Sequence, residues 1–122
     1  MSEDYRQLLG RRGEEIAENY LTGKGYRILH RNFRASRGEI DLIAVRGKTV
    51  VFVEVKSGRS TSFGEAEYRV TPAKQRQLYR IARVFLDISK YPWEDCRFDV
   101  VAVELQGPKP RLRHIENAFY LL

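Results

Sequence analysis

Two neighbouring apolar runs that contain charged residues constrain the fold of this chain more than any other feature. Residues 39–45 and 49–56 are rich in the branched and aromatic side chains that strands favour. The connection Arg46-Gly47-Lys48 is short enough for an antiparallel hairpin, and its glycine permits positive φ. Four charged residues nevertheless stand within the two predicted strands: Glu39, Asp41, Glu54 and Lys56. Charges in a core strand are costly unless a partner compensates for them.

The spacing of these charges predicts a metal site. Alternation along a strand places Glu39 with Asp41 on one face, and Glu54 with Lys56 on one face of the next strand. If the two faces coincide, Asp41 and Glu54 converge, and two such carboxylates repel unless a cation lies between them. Mg²⁺ commonly binds one or two carboxylates together with waters and phosphate oxygens. We therefore predict Mg²⁺ or Mn²⁺ at Asp41 and Glu54, with Glu39 as a further ligand or an outer partner. No other cofactor site is predicted.

Lys56 has two readings in such a site. It would orient an attacking water or offset charge on a phosphate, whereas a role as general base requires a strongly lowered pKa. The alternative for Glu54 and Lys56 is a solvated strand face with a cross-strand ion pair. The surrounding residues argue against that alternative, because both faces of the strand are apolar: Val50, Val51, Phe52, Val53 and Val55. Buried charges in such a strand tend to mark function.

The remaining residues complete an α/β fold. Helices are predicted at 12–22 and 71–89, and strands at 26–33, 39–45, 49–56, 98–105 and 111–115. Glycines at 23 and 25 end the first helix, and Thr71-Pro72 supplies a capping hydroxyl and a proline at the start of the second. Residues 34–38 form a basic turn, and residues 57–69 a polar loop. This order predicts one domain over residues 1–122, with a mixed β-sheet flanked by helices.

The charge balance points to a polyanionic partner. The net charge is +6 and the pI is about 9.7, so nucleic acid is the first candidate. Contacts to its backbone are predicted for Arg34, Arg37, Arg59, Lys74, Arg76, Arg80 and Arg83. The alternative for the last three, which share one helix face, is an ordinary solvated surface.

The cysteine content and the apolar runs bear on location. A single cysteine, Cys96, excludes an internal disulfide and a cysteine-rich zinc site, and it favours a reducing compartment. No run approaches eighteen apolar residues, so no membrane partner is predicted. The polar start of the sequence lacks the apolar core of a signal peptide. We therefore expect a cytoplasmic protein.

Asp41, twelve intervening residues, and then Glu54-Val55-Lys56 resemble the signature of the PD-(D/E)XK nuclease superfamily, although Ile40 stands where proline often precedes the aspartate. The closer resemblance is to the bacterial YraN family of endonuclease-like proteins. It covers nearly the whole chain through these segments: Gly10-x-x-Gly13-Glu14 with Ala17 and Tyr20-Leu21, Gly25-Tyr26, Asn32, residues 38–44 and 51–56, Lys74, residues 97–101, and Asn117-Ala118-Phe119.

That resemblance implies a restriction-endonuclease-like fold with an αβββαβ core. It implies that Asp41 and Glu54 bind metal and that Lys56 is the catalytic lysine. It also adds Glu14, which matches an acidic residue on the first helix of the related Holliday junction resolvases. The alternative for Glu14 is a favourable charge near a helix N-terminus.

These observations predict a metal-dependent nuclease that hydrolyses phosphodiesters, with branched or otherwise unusual DNA as substrate. A homodimer is the assembly that a symmetric cut of two strands requires. Two rival readings are a non-catalytic protein that keeps the nuclease fold to bind nucleic acid or recruit a partner, and a structural domain whose acidic residues pair with arginines. Metal binding without cleavage would favour the first rival, and the absence of metal affinity the second.

Overall fold

A computed structural model describes residues 3–58, 70–105 and 108–120, and it has the predicted order of elements. In chain order the elements are α1 (Glu3–Gly23), β1 (Arg27–Ala35), β2 (Gly38–Arg46), β3 (Thr49–Gly58), α2 (Pro72–Ile88), β4 (Asp95–Glu104) and β5 (Arg111–Ile115).

The five strands form one mixed sheet in the order β1-β2-β3-β4-β5. The pairs β1–β2, β2–β3 and β4–β5 are antiparallel, whereas β3 and β4 are parallel. A parallel pair needs a long crossover connection, and α2 lies in that connection. The predicted mixed sheet with flanking helices is confirmed, and the architecture is consistent with a restriction-endonuclease-like fold.

The two helices cover opposite faces of this sheet. Ala17 and Leu21 of α1 pack in a cluster that includes Val51 and Val53. The α2 residues Leu78, Ile81, Ala82 and Phe85 pack in a second cluster, which includes Val50 and Phe52. Since neighbouring residues of β3 alternate between the two clusters, the strand is buried on both faces, as the apolar run around Glu54 predicts.

Local signals for helix ends and turns are confirmed where they rest on glycine or on a cap. Gly25 has φ +91° just beyond α1, and Gly47 has φ +62° in the β2–β3 turn. Thr71 caps α2 by accepting the N–H of Lys74 on its side chain, and Pro72 is the first helical residue. Within the described residues, neither helix carries an apolar stretch long enough to cross a membrane.

Most boundaries differ from the prediction by one to three residues, as at β4, which begins at Asp95 rather than at residue 98. Two differences have a reason that can be traced. Helix α1 begins at Glu3 rather than at residue 12, because its first turns lie outside the apolar stripe that marks the helix in the sequence, and Leu8 there is 57% exposed. The β1–β2 turn is only two residues long, with Ala35 paired to Gly38. Its residues Ser36 and Arg37 both have positive φ, +48° and +61°. A two-residue hairpin of this kind usually contains asparagine or glycine, so the sequence carries no signal for it.

Candidate functional site

The candidate site lies where β2 and β3 separate. Their paired register runs from Arg46 opposite Thr49 to Leu42 opposite Val53. Beyond Leu42, β2 continues with β1 alone as its partner, and beyond Val53, β3 continues with β4 alone. We call this opening the fork; its arms are residues 38–41 of β2 and residues 54–58 of β3. Asp41 and Glu54 are the first residues of the two arms.

Asp41 bridges the base of the fork. The backbone N–H of Val55 donates to Asp41 Oδ2 at 2.7 Å, so a side chain of one arm holds the backbone of the other. The strand is irregular here, because Ile40 packs in the cluster under α2 whereas Leu42 packs in the cluster under α1. A regular strand keeps residues two apart on one face, so the alternation of β2 breaks between Ile40 and Leu42, on either side of Asp41.

Burial and repulsion act together on Asp41. Removal from water and the negative charge of Glu54 raise the pKa of Asp41 to about 7, against the opposing effect of the Val55 hydrogen bond. Glu14 and Glu39 raise it further. A carboxyl group in this state is poised between its neutral and charged forms near neutral pH, and it is charged more readily when a cation lies beside it.

Glu54 lies on the face of the sheet that α2 covers. Burial raises the pKa of Glu54, and the positive charges of Lys74 and Lys56 oppose that rise. Lys74 is in the first turn of α2, so the helix brings one cation to the carboxylate while β3 supplies the other. Lys56 is partly buried on the β3 arm. Two carboxylates and two ammonium groups thus lie close together at the base of the fork.

Glu14 approaches the same region from α1. Burial raises the pKa of Glu14, the Asn32 Nδ2–H group lowers it by donating to Oε1 at 3.0 Å, and the charge of Glu39 raises it. Asn32 has φ +51°, a conformation that asparagine tolerates better than most residues. A cavity of about 170 Å³ opens at Glu14, Asn32 and Leu42.

Asn32 is the site residue that sequence reasoning did not assign a role. Besides its place in the family resemblance, its signal in the sequence is that it is an asparagine, a residue enriched at left-handed positions, within a predicted strand. That signal does not indicate a hydrogen bond to a residue eighteen positions away.

The predicted metal ligands fit a magnesium-like ion only in part. Asp41 and Glu54 provide the hard oxygen ligands that Mg²⁺ prefers, and two carboxylates suffice when waters and phosphate oxygens complete the shell. Glu39 lies nearer the surface, where Arg34 Nε is 3.7 Å from its Oε1. Among the residues that the structure describes, no three His, Cys, Asp or Glu side chains stand close enough to hold a metal ion.

The predicted nucleic-acid contacts that the structure describes lie beside the β1–β2 turn and on α2. Arg34 and Arg37 line a shallow surface cavity of about 460 Å³ together with Glu39. Gln77 Nε2 donates to the carbonyl of Arg37 at 3.3 Å, which holds the β1–β2 turn against α2. Three of the remaining predicted residues are exposed on α2: Arg76, Arg80 and Arg83. Arg59 lies outside the described residues.

Two glycines allow a helix to pack closely against each arm of the fork. A Cβ at Gly13 of α1 would lie 2.7 Å from Ser57 Oγ on the β3 arm, and closer still to Ser57 Cβ. A Cβ at Gly38 on the β2 arm would lie 2.6 Å from Gln77 Nε2 and 2.8 Å from Ile81 Cδ1 of α2. Each arm is therefore in direct contact with a different helix.

A second polar cluster lies at the β4–β5 pair. Asp99, whose side chain is fully buried, binds Arg97 Nε at 2.9 Å and His114 Nε2 at 2.7 Å, and it accepts the N–H of Asn117 at 3.1 Å. Burial by itself would raise the pKa of Asp99, but the hydrogen bonds from His114 and Arg97 hold it below its ordinary value. Asp99 thus forms a buried structural ion pair with Arg97.

Comparison with known proteins agrees on one family. Residues 13–103 match the uncharacterised protein family UPF0102. A UPF0102 protein of Geobacter sulfurreducens is 45% identical over 118 residues, which cover 96% of this chain and 92% of that protein. A UPF0102 protein of Prosthecochloris aestuarii is 46% identical over 118 residues, covering 92% and 93%, and one of Rhodococcus opacus is 44% identical over 112 residues, covering 91% and 95%.

A comparison of structures gives only a distant likeness. The structure of Pyrococcus furiosus SfsA in complex with Ca²⁺ aligns with a TM-score of 0.36 and 17% identity. The alignment covers 91% of this chain and 63% of the SfsA chain. The match across residues 13–103 and the relatives aligned over nearly their whole length show that this chain belongs to the UPF0102 family, which confirms the YraN resemblance of its sequence.

Proposed function

We propose that the fork is the active centre of a metal-dependent nuclease that cleaves DNA in the cytoplasm. The observation that carries this proposal is the convergence of Asp41 and Glu54 at the point where two buried strands separate, with the pKa of Asp41 raised to about 7. Holding two half-buried carboxylates side by side has a cost that a purely structural role does not require.

Each residue of the fork has a chemical task in this proposal. Asp41 and Glu54 hold Mg²⁺ or Mn²⁺, which would polarise a phosphoryl oxygen and promote attack by water. Lys56 orients the attacking water or offsets negative charge on the phosphate. Glu14, which accepts a hydrogen bond from Asn32, serves as a further acidic residue that α1 brings to the site. Glu39 acts as an outer residue, since Arg34 already lies beside it.

The basic residues around the fork bind the substrate backbone. Lys74 is close enough to Glu54 to lower its pKa, so it is placed to contact a phosphate that enters the fork. The arginines at the β1–β2 turn and on α2 extend this surface. Such contacts position a nucleic acid without reading its sequence, so preference would come from the shape of a branched or unusual DNA.

The test is cleavage of labelled linear, flapped and four-way-junction DNA with Mg²⁺ or Mn²⁺. We expect Glu54→Gln and Lys56→Ala to lower the cleavage rate by about 100-fold or more, because each group acts on the reacting phosphate. Glu94→Gln is the matched control, since Glu94 is a 70% exposed carboxylate paired with Lys48 at the far end of the β2–β3 ladder.

Two outcomes would overturn the nuclease proposal. Cleavage that survives in Glu54→Gln at the wild-type rate would place the chemistry elsewhere or in a contaminant. Binding of DNA and Mg²⁺ without any cleavage would favour a protein that keeps the fold for binding. The pairing of Glu39 with Arg34 is the observation that favours this second reading, because a carboxylate that already pairs with an arginine is less available to a metal ion.

A further inference from the structure

A cleft lined by aromatic residues lies apart from the fork, between α2, the start of β4 and the segment after β5. Its volume is about 360 Å³. The lining residues that matter here are Tyr79, Arg97, Phe98, Asn117, Phe119 and Tyr120. Two of the tyrosines face solvent, since Tyr79 is 42% exposed and Tyr120 is 73% exposed. Two exposed aromatic rings in one cleft present flat apolar surface to solvent.

The floor of this cleft is rigidly built. Phe119 is buried and stacks on Phe98, with ring centroids 4.8 Å apart and an angle of 27° between the planes. Backbone hydrogen bonds fix the segment that carries Phe119, because Ala118 N–H donates to the Phe98 carbonyl at 2.8 Å and Asn117 N–H donates to Asp99. Tyr120 therefore follows directly on a residue that is anchored to the sheet.

Positive charge surrounds the exposed ring of Tyr79. Arg83 Nη1 donates to the Tyr79 hydroxyl at 3.2 Å, and its guanidinium lies 6.0 Å from the ring centroid. Arg76 and Arg80 are exposed on the neighbouring part of α2. Exposed aromatic rings beside arginines are the combination that binds single strands, whose bases stack on the rings while the phosphates meet the cations. A duplex has its bases already stacked and paired, so it gains less from such a surface.

The cleft and the fork are connected by α2. Lys74, which acts on Glu54 in the fork, precedes Tyr79 by five residues, or about 7–8 Å along the helix axis. That length is about two base steps of a nucleic-acid strand. Residues five apart also lie about 140° apart around a helix, so a strand whose phosphate lies in the fork would pass around part of α2 to reach the cleft.

We propose that this cleft is a stacking site for the bases of single-stranded nucleic acid, which it takes from the unpaired strand of a flapped or branched substrate at the fork. The proposal rests on the nuclease function proposed for the fork, because it names the class of substrate that the fork receives. Tyr79 and Tyr120 stack the bases, and the exposed arginines of α2 bind the phosphates. The carboxylate of Asp95, which also lines the cleft, then faces a neutral base rather than a phosphate.

The experiment measures binding separately from cleavage. We would record fluorescence anisotropy with labelled strands of twelve thymidylates or twelve uridylates, and with a duplex of equal length. EDTA is present so that no metal-dependent cleavage occurs. Tyr79→Ala and Tyr120→Ala are compared with Tyr79→Phe and Tyr120→Phe, which keep the rings. We expect each alanine variant to bind single strands about 5- to 100-fold more weakly, each phenylalanine variant to bind nearly as wild type, and duplex binding to change little.

Equal weakening of single-strand and duplex binding would overturn the stacking site, because it would show loss of a general electrostatic surface. Failure of the wild-type protein to bind either single strand would also overturn it and would leave the cleft to another kind of partner. Tighter binding of the thymidylate strand supports a DNA substrate, and tighter binding of the uridylate strand supports the same site with RNA. Cleavage that depends on Glu54 but not on the two tyrosines would remove this inference alone, whereas ring-dependent binding without cleavage would remove only the nuclease proposal.

Discussion

The backbone N–H of Val55 donates to the carboxylate of Asp41 at 2.7 Å across the base of the fork. Where two strands separate, backbone groups lose their ladder partners, and a buried N–H without a partner is costly. The Asp41 carboxylate supplies that partner and is fixed in orientation by doing so. The same group therefore closes the end of the β2–β3 ladder and faces Glu54, whose charge raises its pKa.

The raised pKa of Asp41 makes stability depend on pH. The pKa of Asp41 is about 7 in the folded protein, whereas an aspartate in the unfolded chain has the ordinary value of 3.8. Between these two pH values the folded state holds an extra proton, so its stability falls as pH rises through this window. The full shift corresponds to on the order of 4 kcal/mol. We expect Asp41→Asn to unfold at higher urea concentration than wild type at pH 8 in EDTA. Its free energy of unfolding should be larger by roughly 2–4 kcal/mol at pH 8, and the difference should be smaller at pH 5. Equal stability of the two proteins at pH 8 would contradict the burial of this charge.

The affinity for a metal ion should depend on the same ionisation of Asp41, but it should rise with pH where the stability falls. A divalent cation at Asp41 and Glu54 favours the charged carboxylates, so its affinity should rise with pH up to about 7 and then level off. At a concentration about 100 times its dissociation constant, Mg²⁺ would stabilise the wild type by about 2.7 kcal/mol. Thermal melts and calorimetry at pH 6 and pH 8 measure both effects. Glu54→Gln should lose most of the gain and Glu94→Gln should keep it; a gain of equal size in both variants would exclude the fork as the metal site.

Asn32→Gly tests the support of Glu14. Glycine keeps the left-handed backbone at this position but removes the amide that donates to Glu14. Without that hydrogen bond the pKa of Glu14 should rise further, so the pH profile of cleavage should move to higher pH and the rate at pH 6 should fall by about 2- to 10-fold. A uniform loss at every pH, without a displaced profile, would indicate a structural role for Asn32 instead.

Gly13→Ala should weaken the contact between α1 and the β3 arm. Alanine is the better helix former by about 0.5–1 kcal/mol, but its Cβ would overlap with Ser57, and overpacking of this kind costs about 1–3 kcal/mol. The control is Gly10→Ala in the same helix, where a Cβ meets nothing within 4 Å and should stabilise. Urea unfolding compares the two, and Ser57→Gly should restore much of the loss. Stabilisation by both alanines would show that α1 does not rest on the arm.

Asp99→Asn should be the most destabilising of these substitutions. The change removes the charge that compensates Arg97 in a buried site, and breaking such a pair costs about 3–5 kcal/mol. Because the pKa of Asp99 is lowered in the folded protein, its contribution is present above the ordinary carboxyl range and is lost as pH falls through the folded value. The wild type should therefore lose stability in acid more steeply than the variant. Cleavage by the folded variant should remain, since Asp99 lies in the cluster with Arg97 and His114 rather than at the fork.

Local rules predicted the elements well but not the fork. Gly47, Gly25 and the Thr71 cap each determine a turn or helix end within a few residues, and the apolar alternation of β3 determines its two buried faces. The separation of β2 from β3 depends on their outer partners β1 and β4, which lie far away in the sequence.

The surroundings of the site also lay beyond the sequence pattern. Whether Glu39 would bind metal or meet Arg34 depends on the direction of two long side chains at the surface. The contact of Asn32 with Glu14 depends on how α1 is seated on the sheet. The sequence thus indicated charges that the fold brings close together, whereas long-range packing determines how they are arranged.

The two glycine contacts have a consequence for the metal site that we propose at the fork. Because Gly13 seats α1 on one arm and Gly38 seats α2 on the other, the spacing between the arms depends on how closely two helices approach the sheet. Mg²⁺ demands short distances and near-octahedral geometry, whereas Ca²⁺ accepts a larger and more flexible shell. Variants of this chain with larger residues at these two positions would thus favour a larger ion in the proposed site while keeping every carboxylate unchanged.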